Sequence, residues 1–509
     1  MKTIFKHPLL ALALALVAGP AIAQGRDTNA LTIYSSATPG AIQPELYRSG
    51  LGHQPVPGYA VVRHERDIPL DKGKASVRFT DVAALIDPTT VSFESLTDPA
   101  GTRVVEQNFQ FDLVSHEKLL QKYLDREIAV EQVRGDKVET FTGTLLSSSA
   151  QGLILKSKDG SVHSLPYNTG VKLPQLPGGL ITRPTLVWDL FTDKAGPHRS
   201  RVSYQTTGIT WWSDYNVAYA EGKNANSCKL DVGAWVSILN QSGAGYPEAR
   251  LKLVAGDVHR APAGGRHYPA SRAMDYAAKM AAEVPAGFAE KSFFEYHLYT
   301  LGRPTTLPDH STKQIELFPP AHGVPCEKTL VYYGLAPHYW GHFASPMTDR
   351  NYGLESNKKV DVYLSFKNDE AHRMGMPLPA GRIRMSKLDS ADGTLEFIGE
   401  DTLDHTPRNE KVLIKMGSAF DVVGERKQTD FTVNTSAKTM TETIEVTLRN
   451  HKTEPVTVLV KENLYRWLNW KITARTHDYE KQDSRTVHFP VHLAKDGQAT
   501  VRYTVQYSW

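Results

Sequence analysis

Alternation of apolar and polar residues with a period of two runs through most of this chain, and patterns with a helical period are scarce. In a strand, every second side chain points to the same face of a sheet, so this alternation is typical of β-structure. In residues 59–96 the alternating runs are interrupted by DKGK and DPTT, which are typical of hairpin turns. The pattern predicts a mainly β, multi-domain protein built from antiparallel, β-sandwich-like modules with few short helices.

Turn signals and shifts in composition predict how the chain is divided. The predicted segments are 1–23 as a signal peptide, 24–108 as an N-terminal β domain, 109–185 as a short helix with a small β meander or barrel and a linker, 186–430 as a central β-rich domain, and 431–509 as a C-terminal β-sandwich. An Ala-rich stretch at about 262–290 predicts an insertion within the central domain.

The first residues have the pattern of a secretory signal peptide. Lys2 and Lys6 precede an apolar run, and small residues at Ala21 and Ala23 predict cleavage before Gln24. Elsewhere no apolar run approaches the roughly 18 residues of a membrane-spanning helix, so we expect no integral membrane segment after cleavage. We therefore expect an exported protein of the periplasm, with an extracellular or outer-membrane-associated location as the alternatives.

The charge balance limits the classes of binding partner, and the cysteine content bears on the cellular compartment. The 58 Lys and Arg residues nearly balance the 55 Asp and Glu residues, which argues against nucleic acid as a partner. The two cysteines of the chain are Cys228 and Cys326. In an exported chain such a pair predicts a disulfide, with two buried thiols as the alternative.

The stretch GITWWSDYNVAY, residues 208–219, concentrates aromatic side chains in one predicted strand. Its odd-numbered positions from Ile209 to Tyr219, including Trp211, form an apolar face that we expect to be buried. Trp212 lies on the opposite, polar face. It predicts either a stacking surface for a sugar ring or, as we favour, burial in a second layer or a domain interface. Trp340 is a second candidate aromatic contact.

Two strand pairings are also predicted. The sequence CKLDVGAWVSILNQSGAGYPEARLKL, from residue 228 onward, indicates two antiparallel neighbours joined by the NQSGAG turn. At the C-terminus, Tyr503, Val505 and Tyr507 alternate and are expected to pack inward against residues 444–448.

Several motifs resemble one bacterial family. They are ITWWSDYNVAY, WVSILNQSGAGYPEARLKLVAGDV, YTLGRPTTLPDHSTKQIELF, KMGSAFDVVGERKQTDF and TLRNHKTEPVTV, in this order from about residue 202 to residue 509. The chain resembles the family called domain of unknown function 4139, which includes proteins named mucoidy inhibitor A-like. The resemblance implies a β-rich fold and a link to envelope polysaccharide, but no defined chemistry.

The search for catalytic motifs finds no nucleotide-binding loop, no His-Glu-x-x-His and no Gly-x-Ser-x-Gly, so we expect no cofactor. Asp257 and His259 share one parity of a strand end and form a weak candidate acid–base pair, with turn capping as the alternative. His338 and His342 are too far apart on a strand to hold one metal ion, and we expect no metal. The segment FDVVGERKQTDF, residues 420–431, indicates a solvated turn with ion pairs.

Two hypotheses of function follow. The first is an exported cell-envelope binding or scaffold protein for a protein or glycan partner, contacted through aromatic residues such as Trp212 or Trp340. The alternative is an envelope hydrolase whose site is assembled in space and includes Asp257 and His259.

Overall fold

A computed structural model describes residues 27–35, 39–40, 42, 56–134, 137–149, 151–166, 170–256, 258, 287–335 and 343–509. Strands dominate these residues, and within them one α-helix and one 3₁₀ turn (Glu370–His372) are formed. The prediction of a mainly β protein with several antiparallel sheets and few short helices is confirmed.

The N-terminal part of the described chain contributes twelve strands and the α-helix. In chain order these are β1 Thr28–Tyr34, β2 Tyr59–Leu70, β3 Gly73–Thr80, β4 Ile86–Ser95, β5 Thr102–Gln110, α1 His116–Lys122, β6 Glu127–Arg134, β7 Lys137–Ser149, β8 Gly152–Lys156, β9 Val162–Leu165, β10 Gly170–Lys172, β11 Thr185–Thr192 and β12 Gly196–Thr206. The Ser115 side chain caps α1 by accepting a hydrogen bond from the backbone N of Lys118.

The rest of the described chain contributes seventeen strands. They are β13 Ile209–Glu221, β14 Ser227–Asn240, β15 Tyr246–Ala255, β16 Phe288–Phe293, β17 Tyr296–Leu301, β18 Thr305–Leu307, β19 Ser311–Tyr333, β20 Lys359–Lys367, β21 Gly381–Leu388, β22 Leu395–Leu403, β23 Lys411–Asn434, β24 Thr439–Asn450, β25 Val456–Asn463, β26 Trp470–Arg475, β27 Glu480–Lys481, β28 Thr486–Leu493 and β29 Gln498–Ser508.

These strands form four sheets. An eight-stranded sheet has the order β16-β17-β15-β1-β2-β12-β4, with β18 paired to β15, and a three-stranded sheet has the order β3-β11-β5. Both combine strands from 24–108 with strands from 186–430, and one hydrophobic core includes residues of both segments, such as Val62 and Trp188. The five-stranded sheet β10-β6-β7-β8-β9 packs with α1 around its own small core.

The largest sheet has thirteen strands and carries the candidate site. Its path is β22-β21-β13-β14-β19-β20-β23-β24-β29-β26, and β25 pairs with β19 and β28, while β27 pairs with β28. At the C-terminal end, β24 and β29 on one branch and β25 and β28 on the other enclose a second core. The inward packing predicted for Tyr503, Val505 and Tyr507 is confirmed, because these residues share that core with Ile444, Val446 and Leu448.

The prediction that the NQSGAG turn joins two antiparallel neighbours is wrong. β14 pairs with β13 and β19, whereas β15 lies in the eight-stranded sheet and runs parallel to β1. The buried Asn240 holds this crossing, since its Nδ2 donates to the carbonyl oxygens of Ala244 at 2.8 Å and Pro308 at 2.9 Å, and its Oδ1 accepts from the Ser242 backbone N at 3.1 Å. The turn therefore links two sheets instead of closing a hairpin.

The parity prediction for the aromatic strand is confirmed. The odd-numbered side chains of β13 from Ile209 to Tyr219 are buried. Trp211 packs beside Tyr299 with ring centroids 6.3 Å apart. Thr210, Trp212 and Asp214 on the first half of the opposite face are also buried, and Ile42 and Val56 pack with Trp212 there.

Candidate functional site

A cleft lies on one face of the thirteen-stranded sheet, where β25, β19, β20 and β23 are neighbours. Pairing between these strands arranges the side chains of that face in three rows. The rows are Lys461, Tyr333 and Lys359; Leu459, Val331, Asp361 and Ser418; and Thr329, Tyr363 and Lys415. Each strand contributes alternate residues to the face because strand side chains alternate.

Within the cavity, Asp361 and Ser418 of the middle row form the floor, and Tyr333 and Tyr363 of the outer rows form the walls. Val331 is 3% exposed and Asp361 is 8% exposed, whereas Tyr333 and Tyr363 are partly exposed and Lys359 is exposed. The resulting cavity of about 440 Å³ falls within the range of small-ligand pockets. It is a concave site in which two aromatic rings stand above a polar floor.

The carboxylate of Asp361 is fully engaged by its neighbours. Lys415 Nζ lies 2.7 Å from Asp361 Oδ2, and Ser418 Oγ donates to Oδ1 at 3.1 Å. A charge this buried needs such partners. Asp361 therefore orients Lys415 and Ser418 along the floor.

Asn357 fixes the rim of the cleft. Its Nδ2 donates to the backbone oxygens of Tyr333 at 3.3 Å and Lys359 at 3.4 Å, and its Oδ1 accepts from the backbone N of Lys359 at 3.0 Å. The Asn357 side chain thus fixes the backbone of Tyr333 and Lys359 at the rim.

Burial raises the pKa of Tyr333, which also forms a side-chain hydrogen bond with Tyr363 that acts in the same direction. The Lys461 ammonium lies 5.6 Å from the centroid of the Tyr333 ring. A side-chain hydrogen bond with Lys461 acts in the opposite direction on this pKa, so the Tyr333 hydroxyl is already engaged by Tyr363 and Lys461.

The chemistry of this cleft suits binding. Tyrosine rings provide an apolar face, and hydroxyl, amide and ammonium groups provide hydrogen bonds, a combination that matches a hydroxylated ring such as a sugar. The lining contains no histidine or cysteine that would serve as a general base or nucleophile at neutral pH.

Neither protein-family models nor curated proteins show a match to this chain. The resemblance to the domain of unknown function 4139 thus stays a prediction.

The predicted disulfide between Cys228 and Cys326 is confirmed. The two residues lie opposite each other on β14 and β19. The sulfurs are part of the core and leave no thiol for chemistry among the described residues.

Trp212 is 8% exposed and belongs to a small apolar cluster with Ile42, Val56 and Leu239. Its Nε1 donates to Asp214 Oδ2 at 2.8 Å. A ring in this position has no open face for a sugar, which agrees with the interface alternative.

The remaining candidates lie outside the described residues. These are Asp257, His259, Trp340, the two histidines at 338 and 342, the signal peptide and most of the 262–290 insertion. The hydrolase hypothesis and the Trp340 contact accordingly stay predictions.

Within the described ranges, no group of three or more His, Cys, Asp or Glu residues is placed to hold a metal ion. No helix in that part of the chain has the length and apolar character needed to cross a membrane.

The interpretation of residues 420–431 as a solvated turn is wrong, because they lie within the long strand β23. Glu425 and Lys427 do form the expected ion pair on the surface, at 2.8 Å. Arg426 points the other way, is 4% exposed, and places its Nε 3.0 Å from Glu462 Oε2. Alternation along the strand separates these neighbouring charges into exposed and buried sets.

A second buried pair adjoins the first. Arg466 Nε lies 3.1 Å from Glu442 Oε1, and Arg466 NH1 donates to the backbone oxygens of Met347 at 3.0 Å and Asp349 at 2.8 Å. Burial raises the pKa of Glu442. These groups fasten the segment after residue 343 to the second core and are closed to ligands.

Sequence reasoning missed the cleft. The segment VDVYLSFKN, residues 360–368, has the alternation of a strand, and Asp361 and Tyr363 on one parity of it are the only local signal. Their partners come from segments roughly 30 to 100 residues away in the chain.

Proposed function

We propose that this chain is an exported cell-envelope binding protein of the domain of unknown function 4139 family, and that it holds a glycan chain in the cleft formed by Tyr333, Tyr363, Asp361 and Lys415. A periplasmic location and cleavage before Gln24 belong to the same proposal. The chain acts by binding and has no chemical step of its own.

The observation that carries the proposal is the pair of tyrosines above a polar floor. Tyr333 and Tyr363 come from adjacent strands, and Asp361 orients Lys415 and Ser418 between them. The apolar edge of a pyranose ring packs on an aromatic face while its hydroxyls bond to the polar groups around it. Because the cleft is built on paired strands, it is rigid before the ligand arrives, which lowers the entropic cost of binding.

Export is supported by two features. The signal-peptide pattern directs secretion, and the disulfide between Cys228 and Cys326 is stable in an oxidising compartment such as the periplasm. A binding function fits a site whose one buried carboxylate is already neutralised by Lys415.

The proposal is tested with a glycan array probed by the purified mature protein. The test variant is Tyr363→Ala, which removes one wall of the cleft. The matched control is Phe294→Ala, since Phe294 is an exposed aromatic in the hairpin between β16 and β17 of another sheet. We expect Tyr363→Ala to lose about tenfold in affinity and the control to bind as the wild type does.

Two results would contradict the proposal. One is the absence of glycan retention by the wild-type protein. The other is equal retention by the wild type and Tyr363→Ala. Turnover of a bound glycan, abolished by His259→Ala, would favour the hydrolase hypothesis instead.

A further inference from the structure

We propose that the cleft selects glycans that carry carboxylate groups, and that Lys359 and Lys461 recognise those groups on either side of Tyr333. This inference rests on the proposed glycan-binding function and specifies its substrate class. It follows from the position of three lysines relative to the single carboxylate of the cleft floor.

Two lysines lie on either side of Tyr333. Lys461 lies directly opposite Tyr333 in the pairing of β25 with β19. On the other side, Tyr332 is opposite Val360, so the next position along brings Lys359 beside Tyr333. A lysine therefore stands on each side of the same tyrosine, in one row across three strands.

The charges near Tyr333 do not all cancel. Lys415 is paired with Asp361, so these two charges cancel. In the part of the chain that the structure describes, neither Lys359 nor Lys461 forms a salt bridge, and Lys461 forms a side-chain hydrogen bond with Tyr333. Lys359, which lines the cavity, and Lys461, which lies beside Tyr333 at its edge, thus carry two positive charges without a paired carboxylate among the described residues.

The carboxylate of Asp401 lies close to Lys415 and is already engaged by backbone N–H groups. Asp401 lies on β22 and accepts a hydrogen bond from the backbone N of Lys415 at 2.7 Å. Its other oxygen accepts a hydrogen bond from the backbone N of Thr402 at 2.8 Å. The charge presented to a ligand is therefore that of Lys359 and Lys461.

These groups match a sugar that carries a carboxylate. Hydrogen bonds from an ammonium to a carboxylate are roughly twice as strong as hydrogen bonds between neutral groups. An acidic sugar therefore gains binding affinity from the lysines that a neutral sugar does not. The tyrosine rings and the floor then contact the sugar ring and its hydroxyls. A free anion such as inorganic phosphate would use the lysines alone and gain nothing from Tyr363.

The experiment measures equilibrium binding of the mature full-length protein at low ionic strength. The probes are an oligomer of galacturonic acid, the same oligomer with its carboxyl groups methyl-esterified, and inorganic phosphate. The variants are Lys359→Gln and Lys461→Gln, with Lys229→Gln as the control at an exposed position of β14. Melting temperatures of all variants confirm that each is folded.

We expect the acidic oligomer to bind about tenfold more tightly than its ester, and each cleft variant to lose most of that difference. Added salt should weaken binding of the acid and leave the ester unchanged. The control variant should bind both oligomers as the wild type does.

The outcomes separate the inference from the function on which it rests. Equal affinity for acid and ester, with binding still lost in Tyr363→Ala, overturns the selectivity but keeps a glycan site. Binding of phosphate as tight as that of the acid, and independent of Tyr363, overturns the assignment to a glycan carboxylate. Absence of binding to any oligomer, in this assay and on the array, overturns both.

Discussion

Cys228 and Cys326 face each other across the antiparallel pair β14 and β19, with their Cα atoms 4.8 Å apart, and are joined by a disulfide. The bond closes a loop between residues separated by 98 positions. The disulfide therefore joins two long neighbouring strands of the largest sheet. The chain between these strands forms part of the eight-stranded sheet.

Removing the disulfide is expected to lower the free energy of unfolding by about 4 to 5 kcal/mol, because a loop of this length restricts the unfolded chain strongly. Chemical denaturation of wild type and the double variant Cys228→Ser, Cys326→Ser measures the difference. Intact mass should show two hydrogens fewer in the oxidised protein than after reduction. Alkylation of two thiols without reductant, after periplasmic expression, would contradict the prediction.

The adjacent tryptophans of β13 should respond differently to replacement by phenylalanine. Trp211 Nε1 is buried with no hydrogen-bond partner among the described residues, whereas Trp212 Nε1 donates to Asp214. Trp212→Phe leaves the Asp214 carboxylate short of a donor and should cost about 1 to 3 kcal/mol more than Trp211→Phe. Urea denaturation compares the two, and a larger loss for Trp211→Phe would be the opposite of the expected result.

Truncation to alanine gives a second comparison at the same positions. Trp211→Ala should cost about 3 to 5 kcal/mol because it opens a large cavity in the main core. Trp212→Ala should also be costly, because its ring fills the cluster with Ile42 and Val56. Small and equal losses at both positions would contradict the burial of the strand.

The buried His64 is expected to make the folded state less stable at acidic pH. Burial lowers the pKa of His64 to about 3. Its Nδ1 lies 2.8 Å from Asn29 Oδ1 and its Nε2 lies 3.1 Å from the Tyr204 hydroxyl. Since Asn29 Nδ2 donates to Pro247 O, Oδ1 is the atom that faces the ring, and the neutral imidazole donates through Nδ1 and accepts at Nε2.

The folded-state pKa lies below the unfolded value near 6.5, so the unfolded chain binds more protons between the two. The contribution of His64 to stability is complete above about pH 6.5 and is lost as the pH falls toward 3. At pH 5 the loss should reach about 2 kcal/mol. Denaturation of wild type, His64→Gln and the exposed control His310→Gln at pH 7 and pH 5 tests this, and only His64→Gln should lack that part of the decrease.

The buried pair of Arg426 and Glu462 should be costly to break on one side. Glu462→Gln leaves a buried guanidinium without its counter-charge and weakens the acceptor of the Tyr503 hydroxyl, which now lies 2.6 Å from Glu462 Oε2. We expect a loss of about 3 to 5 kcal/mol, and a smaller loss for the double variant Arg426→Met, Glu462→Leu. Lys427→Ala, on the exposed side of the same strand, should cost at most about 1 kcal/mol.

The alternation along each strand was enough to predict the apolar face that is buried on β13 and β29. Ile209, Trp211 and Tyr215 on β13, and Tyr503 and Val505 on β29, lie inside as their parity requires. The disulfide was also predictable, because the sequence predicts export and its two cysteines leave one pairing. These features depend on residue type and on the period of a strand, both of which are local.

Tertiary structure decided what covers each face and which strands become neighbours. The sequence could not place β15 beside β1, bury Trp212 under Ile42 and Val56, or give Arg426 the partner Glu462. Nor could it bring Tyr333, Asp361, Lys415 and Lys461 together, since they come from four strands distant in the chain. The physical reason is that period-two alternation determines the two faces of a strand but is the same for every register and every neighbour, and only packing of the whole sheet selects among them.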